Sequence, residues 1–261
     1  MPIALTRSVP PSIVNCELTH LNREPIDLAR AAKQHSLYER ALVAAGCTIQ
    51  RLPSLPDLPD SVFVEDTAVV LPEIAIITRP GAASRRGEVT SVADALRPHH
   101  PIGYIESPGT LDGGDVLTID STIYVGQSSR TNSDGIRQLT ELASPYGYRV
   151  RPVKTSGCLH LKSAVGRVAD DVILLNSEWV DSSSFPSLHQ IDVHPGEPFG
   201  ANALWIGEKV IYSATHDETR RRLERHGINV HSVETDELEK AEGAVTCCSI
   251  LIPTPDLQEE V

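Results

Sequence analysis

Short apolar runs recur along the chain in pairs, each pair joined by a polar turn, and a stretch of helical spacing usually follows. Phe63 to Leu71, rich in β-branched residues, and Ile74 to Thr78 predict a strand pair across Pro72-Glu73. Ser84 to Arg97 then sets Val89, Val92 and Leu96 at helical spacing, with Pro98 as a stop. The plan repeats. Asp115 to Ile119 and Thr122 to Val125 flank the turn Asp120-Ser121, and Ser133 is placed to cap a helix with Ile136, Leu139 and Ala143 on its apolar stripe. A third unit has Ala164 to Val168 and Val172 to Leu175, but Ser182-Ser183-Ser184 and Pro186 break its helix. A fourth has Ala203 to Ile206, the turn Gly207-Glu208, Val210 to Tyr212 and a polar helix from Asp217 to His226. A fifth opens at Cys247 with Ser249 to Ile252 and then runs out of chain.

The N-terminus carries what the fifth unit lacks. Ile3 to Thr6 is a strand candidate. Asp27 to Ala45 puts Leu28, Ala31, Tyr38, Leu42 and Ala45 on one helical face, with His35 its one polar member. Gly46 stops that helix and Cys47-Thr48-Ile49 reads as a strand. Asp66, Asp112, His160, Asn202 and Cys247 stand at the starts of successive units, 46, 48, 42 and 45 residues apart. A period of about 45 is a mark of repeated supersecondary units. Pairing the first strand beside the last closes such units into a ring and removes exposed sheet edges. The expectation is one α/β domain over residues 1–261 with pseudo-fivefold repetition. About the first 60 residues would complete the unit begun near 245. On spacing alone an ordinary open α/β sheet remains the alternative.

Composition narrows the function. Forty per cent apolar and 22% charged residues describe a globular chain, and no run is long enough for a bilayer-spanning helix. A net charge of −12 argues against a nucleic-acid partner. Met1 to Arg7 lacks the pattern of a signal peptide, and five scattered cysteines suit free thiols in a reducing compartment. A cytoplasmic location without membrane attachment is therefore expected.

The unit starts carry the chemistry. Cys247, in Val245-Thr246-Cys247-Cys248-Ser249, offers the best neutral-pH nucleophile among side chains, although a cysteine taken alone is more often a buried structural residue. Strand alternation would send Cys247 and Cys248 to opposite faces, and vicinal cysteines lack the spacer of a zinc site. His160, in Leu159-His160-Leu161, can protonate a leaving amine and then activate water; a core histidine is the bland reading. Asp112, in Leu111-Asp112-Gly113-Gly114-Asp115, can orient that imidazole, or belong to a plain turn. Glu65-Asp66 in an apolar run are costly to bury without a cation, which is either a bound guanidinium or an internal Arg or Lys. Jointly, these residue types in one register suit cysteine attack on a cationic carbon.

Phe63-Val64-Glu65-Asp66-Thr67-Ala68-Val69-Val70, Ile77-Thr78-Arg79-Pro80-Gly81, Leu111-Asp112-Gly113-Gly114-Asp115-Val116, Ser129-Arg130-Thr131-Asn132, Leu159-His160-Leu161-Lys162-Ser163 and Thr246-Cys247-Cys248-Ser249 together resemble the dimethylarginine dimethylaminohydrolases. These belong to the guanidine-modifying superfamily with the pentein fold, a five-bladed α/β propeller. The resemblance spans nearly the whole chain and is weakest from Ser177 to Pro198. It implies hydrolysis of Nω-methylated arginine to citrulline and a methylamine through a thiouronium on cysteine, without metal or organic cofactor. By position it makes Cys247 the nucleophile, His160 the general acid/base and Asp112 the carboxylate beside it. Glu65 and Asp66 match substrate carboxylates. Asp60 and the Leu18 carbonyl match contacts to the amino-acid end. Arg85 and Arg130 match partners of the α-carboxylate, although repeat position would pair Arg79 with Arg130. Ala241 matches a backbone contact near the nucleophile. The implied partner is a small cationic amino acid, and a homodimer is compatible. Arginine deiminase or another substituted-guanidine hydrolase is the nearest alternative; a non-enzymatic ring of the ribosome anti-association type is the other class.

Overall fold

Each paired apolar run closes into an antiparallel hairpin and then takes a third strand in parallel. The computed structural model describes residues 1–253; residues 254–261 of the expected domain lie outside the described residues. Strands β1 (Ile3–Thr6) and β2 (Thr48–Arg51) run parallel, joined through helix α1 (Leu28–Ala44). Next come β3 (Ala68–Val70), β4 (Ala75–Ile77), helix α2 (Val89–Leu96) and β5 (Ile102–Tyr104). The second unit is β6 (Val116–Ile119), β7 (Thr122–Gln127), helix α3 (Ser133–Ala143) and β8 (Arg149–Lys154). The short helix α4 (Leu161–Ala164) leads into β9 (Val165–Arg167), β10 (Val172–Leu175) and β11 (His189–Asp192). Then follow β12 (Ala203–Ile206), β13 (Lys209–Ser213), helix α5 (Asp217–Arg225) and β14 (Val230–Val233). Helix α6 (Asp236–Glu239) precedes β15 (Ile250–Ile252), which pairs antiparallel with β1, Ile3 opposite Ile252. The result is five three-stranded sheets of one topology, the expected pseudo-fivefold α/β propeller. Four of the sheets begin with a hairpin, and in the fifth the antiparallel pair joins the two ends of the chain.

Apolar side chains fill the gaps between neighbouring blades. From α1, Ala31, Tyr38 and Leu42 pack with Ala4 of their own blade and with Ile211 and Val233 of the neighbouring one. Asp27 caps α1 by accepting from the amides of Ala29 and Arg30, and Gly46 ends it at φ 94°. Leu28, expected on the buried face, is 39% exposed because it sits in the first turn, beyond the contact. His35 is buried with Nε2 unpartnered, and burial pushes its pKa down to about 4. The third blade has only a 3-10 turn at Ser182–Ser184 in place of a helix; Phe185, fully buried, fills the space against Tyr124 with ring centroids 4.7 Å apart.

Three local expectations shift. Val64–Thr67 forms a 3-10 turn, so the strand predicted from Phe63 starts at Ala68. The cap of α3 is Asn132, whose side chain accepts from the Gly135 amide, because Ser133 is already helical. Ala83–Glu88 is 3-10, delaying α2 to Val89. Among the described residues no helix is long and apolar enough to cross a membrane.

Candidate active site

Two consecutive carboxylates meet different fates at the Val64–Thr67 turn. Tight 3-10 geometry rotates successive side chains by about a third of a turn. Asp66 points inward: Oδ1 accepts from the Gly114 amide at 2.9 Å and Oδ2 pairs with Arg85. Burial would raise its pKa, but His160, Arg85 and the Gly114 amide outweigh that and hold it at about 2. Glu65 turns away. Its carboxylate takes Lys162 Nζ at 2.7 Å and the Thr246 hydroxyl at 2.8 Å, and it borders cavities shared with Leu117, Thr118 and Leu251. The Glu65 side chain, matched to a substrate carboxylate, is thus met by an internal lysine while staying close enough to act on the Cys247 thiol.

Asp112 and His160 meet across one blade interface. His160 Nε2 lies 3.0 Å from Asp112 Oδ2, and Nδ1 lies 3.8 Å from Asp66 Oδ1. Asp112 is fully buried, and its Oδ1 accepts from the Gly81 amide at 2.8 Å. Asp115 holds the segment from behind: Oδ1 accepts from the Leu161 amide, while Oδ2 takes the Ser128 and Thr131 hydroxyls. Burial raises Asp115 to about 6 despite those bonds. Burial alone would lower the imidazole, but Asp66, Asp112 and Asp115 raise His160 to about 9. Gly114 is required by close approach: a Cβ there would stand 2.7 Å from both Asp66 Oδ1 and His160 Nδ1. Asp66, Asp112 and His160 converge within 4.8 Å, a spacing that could hold a cation. Their atoms are engaged instead with Arg85, two backbone amides and one another, which suits proton handling.

Cys247 lies in a turn before β15, its amide donating to Ala244 O at 3.2 Å. The two thiols do separate, by the turn and not by strand alternation: Cys247 borders the cavities, whereas Cys248 is buried in the core behind. Burial, then Glu65 and Asp66, push the Cys247 thiol well above its ordinary pKa. Asn202 clamps the residue before it, donating to Thr246 Oγ1 at 2.9 Å and accepting from the Thr246 amide at 3.0 Å. The same Nδ2 reaches Lys162 O at 3.2 Å, so one side chain ties the Cys247 turn to the His160 segment. Asn202→Ala leaves the buried Thr246 amide unpaired. The expected outcome is a stability loss of about 1–3 kcal/mol with a fall in kcat and little change in KM. Denaturant melts and steady-state kinetics check this; wild-type kcat at reduced stability would make Asn202 purely structural.

A cavity of about 20 Å³ gathers Asp60, Asp66, Arg85, Arg130, His160, Ala241 and Cys247. Arg85 is sandwiched between Asp66 and Glu88, 2.9 Å from the latter, and its guanidinium also donates to Phe63 O. It is therefore placed against the inner carboxylate as well as in the wall matched to an α-carboxylate. Arg130 is less committed: Nη2 donates to the Thr19 hydroxyl at 3.2 Å, and Nη1 is 3.9 Å from Asp112. Arg79 donates to Gly109 O outside the cavity. Asp60 accepts from the Glu17 amide at 3.2 Å, and burial raises its pKa. Leu18 follows Glu17, a wall residue, while its own side chain packs into the core. Glu242 at φ 56° accepts from the amides of Thr19, His20 and Leu21 at 3.0, 2.5 and 2.6 Å, fastening this loop over the site.

Several site-building residues carried little sequence signal. Arg7 is fully buried and donates to Pro53 O and Ser61 O, pinning the segment that ends in Asp60. Asp115 showed in the sequence only as the first residue of a predicted strand. Lys162, Thr246 and Glu242 have roles that depend on partners more than 80 residues away.

A family model described as N,N dimethylarginine dimethylhydrolase, eukaryotic, matches residues 18–184. The N(G),N(G)-dimethylarginine dimethylaminohydrolase of Streptomyces coelicolor is 40% identical over 249 residues, covering 95% of each chain. That of Pseudomonas aeruginosa is 36% identical over 234 residues, covering 89% of this chain and 91% of the relative. A solved structure from Pseudomonas aeruginosa, a cysteine-to-serine variant complexed with citrulline, superposes with a TM-score of 0.91 at 34% identity, covering 95% of this chain and 98% of that one. The likeness identifies the five-bladed architecture as the pentein fold.

Proposed function

The chain belongs to the dimethylarginine dimethylaminohydrolase family, and from that premise we propose that it hydrolyses asymmetric dimethyl-L-arginine and monomethyl-L-arginine to L-citrulline and the corresponding amine. The observation that carries this reading is the convergence of Cys247, His160 and Asp66 on one small cavity whose other wall holds Arg130 and Asp60. Residues 1–261 act as one domain in this proposal, supported by the pairing of β15 with β1. Cysteines that are all free thiols accord with a cytoplasmic location.

The guanidinium enters beside Asp66, and Arg130 takes the α-carboxylate. Its positive charge offsets the burial that keeps Cys247 protonated, and the thiol proton leaves to solvent. Sγ then bonds to the guanidinium carbon. His160, cationic through its carboxylate neighbours, protonates the methylated nitrogen, and the C–N bond breaks to release neutral amine. A thiouronium remains on sulfur. Neutral His160 next takes a proton from water as its oxygen attacks the same carbon. Collapse forms the citrulline carbonyl, breaks the S–C bond and returns the hydroxyl proton to sulfur. The released amine picks up the proton first lost, so charge balances. Asp112 keeps the imidazole oriented throughout.

Citrulline release from L-arginine, monomethyl-L-arginine and asymmetric dimethyl-L-arginine tests the reading. Turnover of the methylated substrates well above L-arginine is expected. Citrulline from L-arginine alone would make the chain a deiminase, and none from any substrate with folded protein would point to a binding role or a substrate other than an arginine.

A further inference from the structure

We propose that a second, larger cavity beyond Cys247 receives the Nω substituent, and that it admits alkyl groups longer than methyl. This rests on the hydrolase reading and extends it to a substrate class. The two cavities share Leu159, Glu242, Gly243 and Cys247, so they meet at the nucleophile. The smaller, about 20 Å³, is walled by Asp60, Asp66, Arg85 and Arg130. An alkyl group there would strip charged groups of their partners without replacing them. The larger, about 170 Å³, has Leu21, Leu159, Phe199 and Ala244 in its walls. One water needs about 10–15 Å³ of such space, so methyl groups leave most of it unfilled.

The reaction places the substituent at this junction. The leaving nitrogen must reach His160, which lines the smaller cavity, while its carbon faces Cys247. Carbon chains on that nitrogen then have one apolar direction to follow. At the far end Glu239 is already committed, accepting from Ser213, Thr215 and Thr235 hydroxyls at 2.5, 3.0 and 2.7 Å. Burial lowers the pKa of the neighbouring His216, which disfavours a charge there. The compartment therefore suits uncharged alkyl groups. Its roof is the loop carrying Leu21, whose amide Glu242 holds.

The test compares kcat/KM for Nω-propyl-L-arginine and Nω-methyl-L-arginine in the wild type and in two variants that fill the cavity from different walls, Ser163→Leu and Leu21→Trp. The wild type is expected to turn over both. Each variant is expected to lower the propyl-to-methyl ratio by about tenfold or more, the scale on which pockets discriminate alkyl length. The ratio cancels any general loss of folded or active enzyme. Methyl turnover without propyl turnover in the wild type, or an unchanged ratio in both variants, overturns the compartment while leaving the hydrolase reading intact. Turnover of neither substrate by the wild type removes the hydrolase reading, and the compartment with it.

Discussion

Cys247→Ser abolishes citrulline formation and leaves no covalent adduct to trap. Serine keeps the size and the turn but not the nucleophile: a hydroxyl ionises far less readily, and no neutral base faces it, since His160 is held as the cation to about pH 9. Loss of a nucleophile that works as part of a unit costs on the order of 10⁶ in kcat. Cys248→Ser retains turnover, because that sulfur is 1% exposed in the core, 3.5 Å from Ala244 O. Intact-protein mass after acid quench, alongside citrulline release, separates the two. Activity in Cys247→Ser with loss in Cys248→Ser would reverse the assignment. A linked consequence concerns the resting thiol. Burial and the nearby Glu65 and Asp66 keep it protonated, so neutral alkylating reagents should modify the free enzyme slowly near pH 7.

His160→Ala slows both halves of the reaction, lowering kcat by about 10²–10⁴. Adduct forms slowly, because no acid meets the departing amine, and decays slowly, because no base meets water. Single-turnover trapping followed by mass spectrometry reads both rates. Wild-type values for either half would remove His160 from that half. The pH profile carries the same assignment. The folded pKa is raised from 6.5 to about 9, so the imidazole keeps its proton across neutral pH and loses it as pH rises through about 9. The rate of the first half should fall on that side. A fall centred near 6.5 would show that the carboxylates do not raise this histidine as their placement requires. Asp112→Asn, which removes one of those charges, should move the descending limb to lower pH.

Much of this architecture was legible in the chain itself. The four hairpins follow from apolar runs and turns that are local properties, and β9, β10 and β12 fall within a residue of the runs that predicted them. The third blade shows the limit. Its broken helix was readable from Ser182 to Pro186, but the compensation by Phe185 packing on Tyr124 was not, because the two rings are 61 residues apart. The same holds at the cap of α3, where Asn132 and Ser133 are both good capping residues and only the backbone path selects one.

The site divides in the same way. The residue types at the starts of successive units, and their similarity to a known family, pointed to cysteine attack on a guanidinium, and the structure brings Cys247, His160 and Asp66 to one cavity. Glu65 and Asp66 are adjacent in sequence and chemically alike, yet Lys162 and Thr246 occupy one while Arg85 and Gly114 meet the other. Asn202 kept the repeat without an evident task until Thr246 and Lys162 were found on either side of it. By itself the sequence determined the repeating hairpins and the kinds of reactive group at each blade start, because these depend on neighbours a few residues away. Tertiary structure alone decided which carboxylate faces the cavity, what raises His160 and what holds the Cys247 turn, because charge and hydrogen bonding act through space between segments that are 19 to 97 residues apart in the chain.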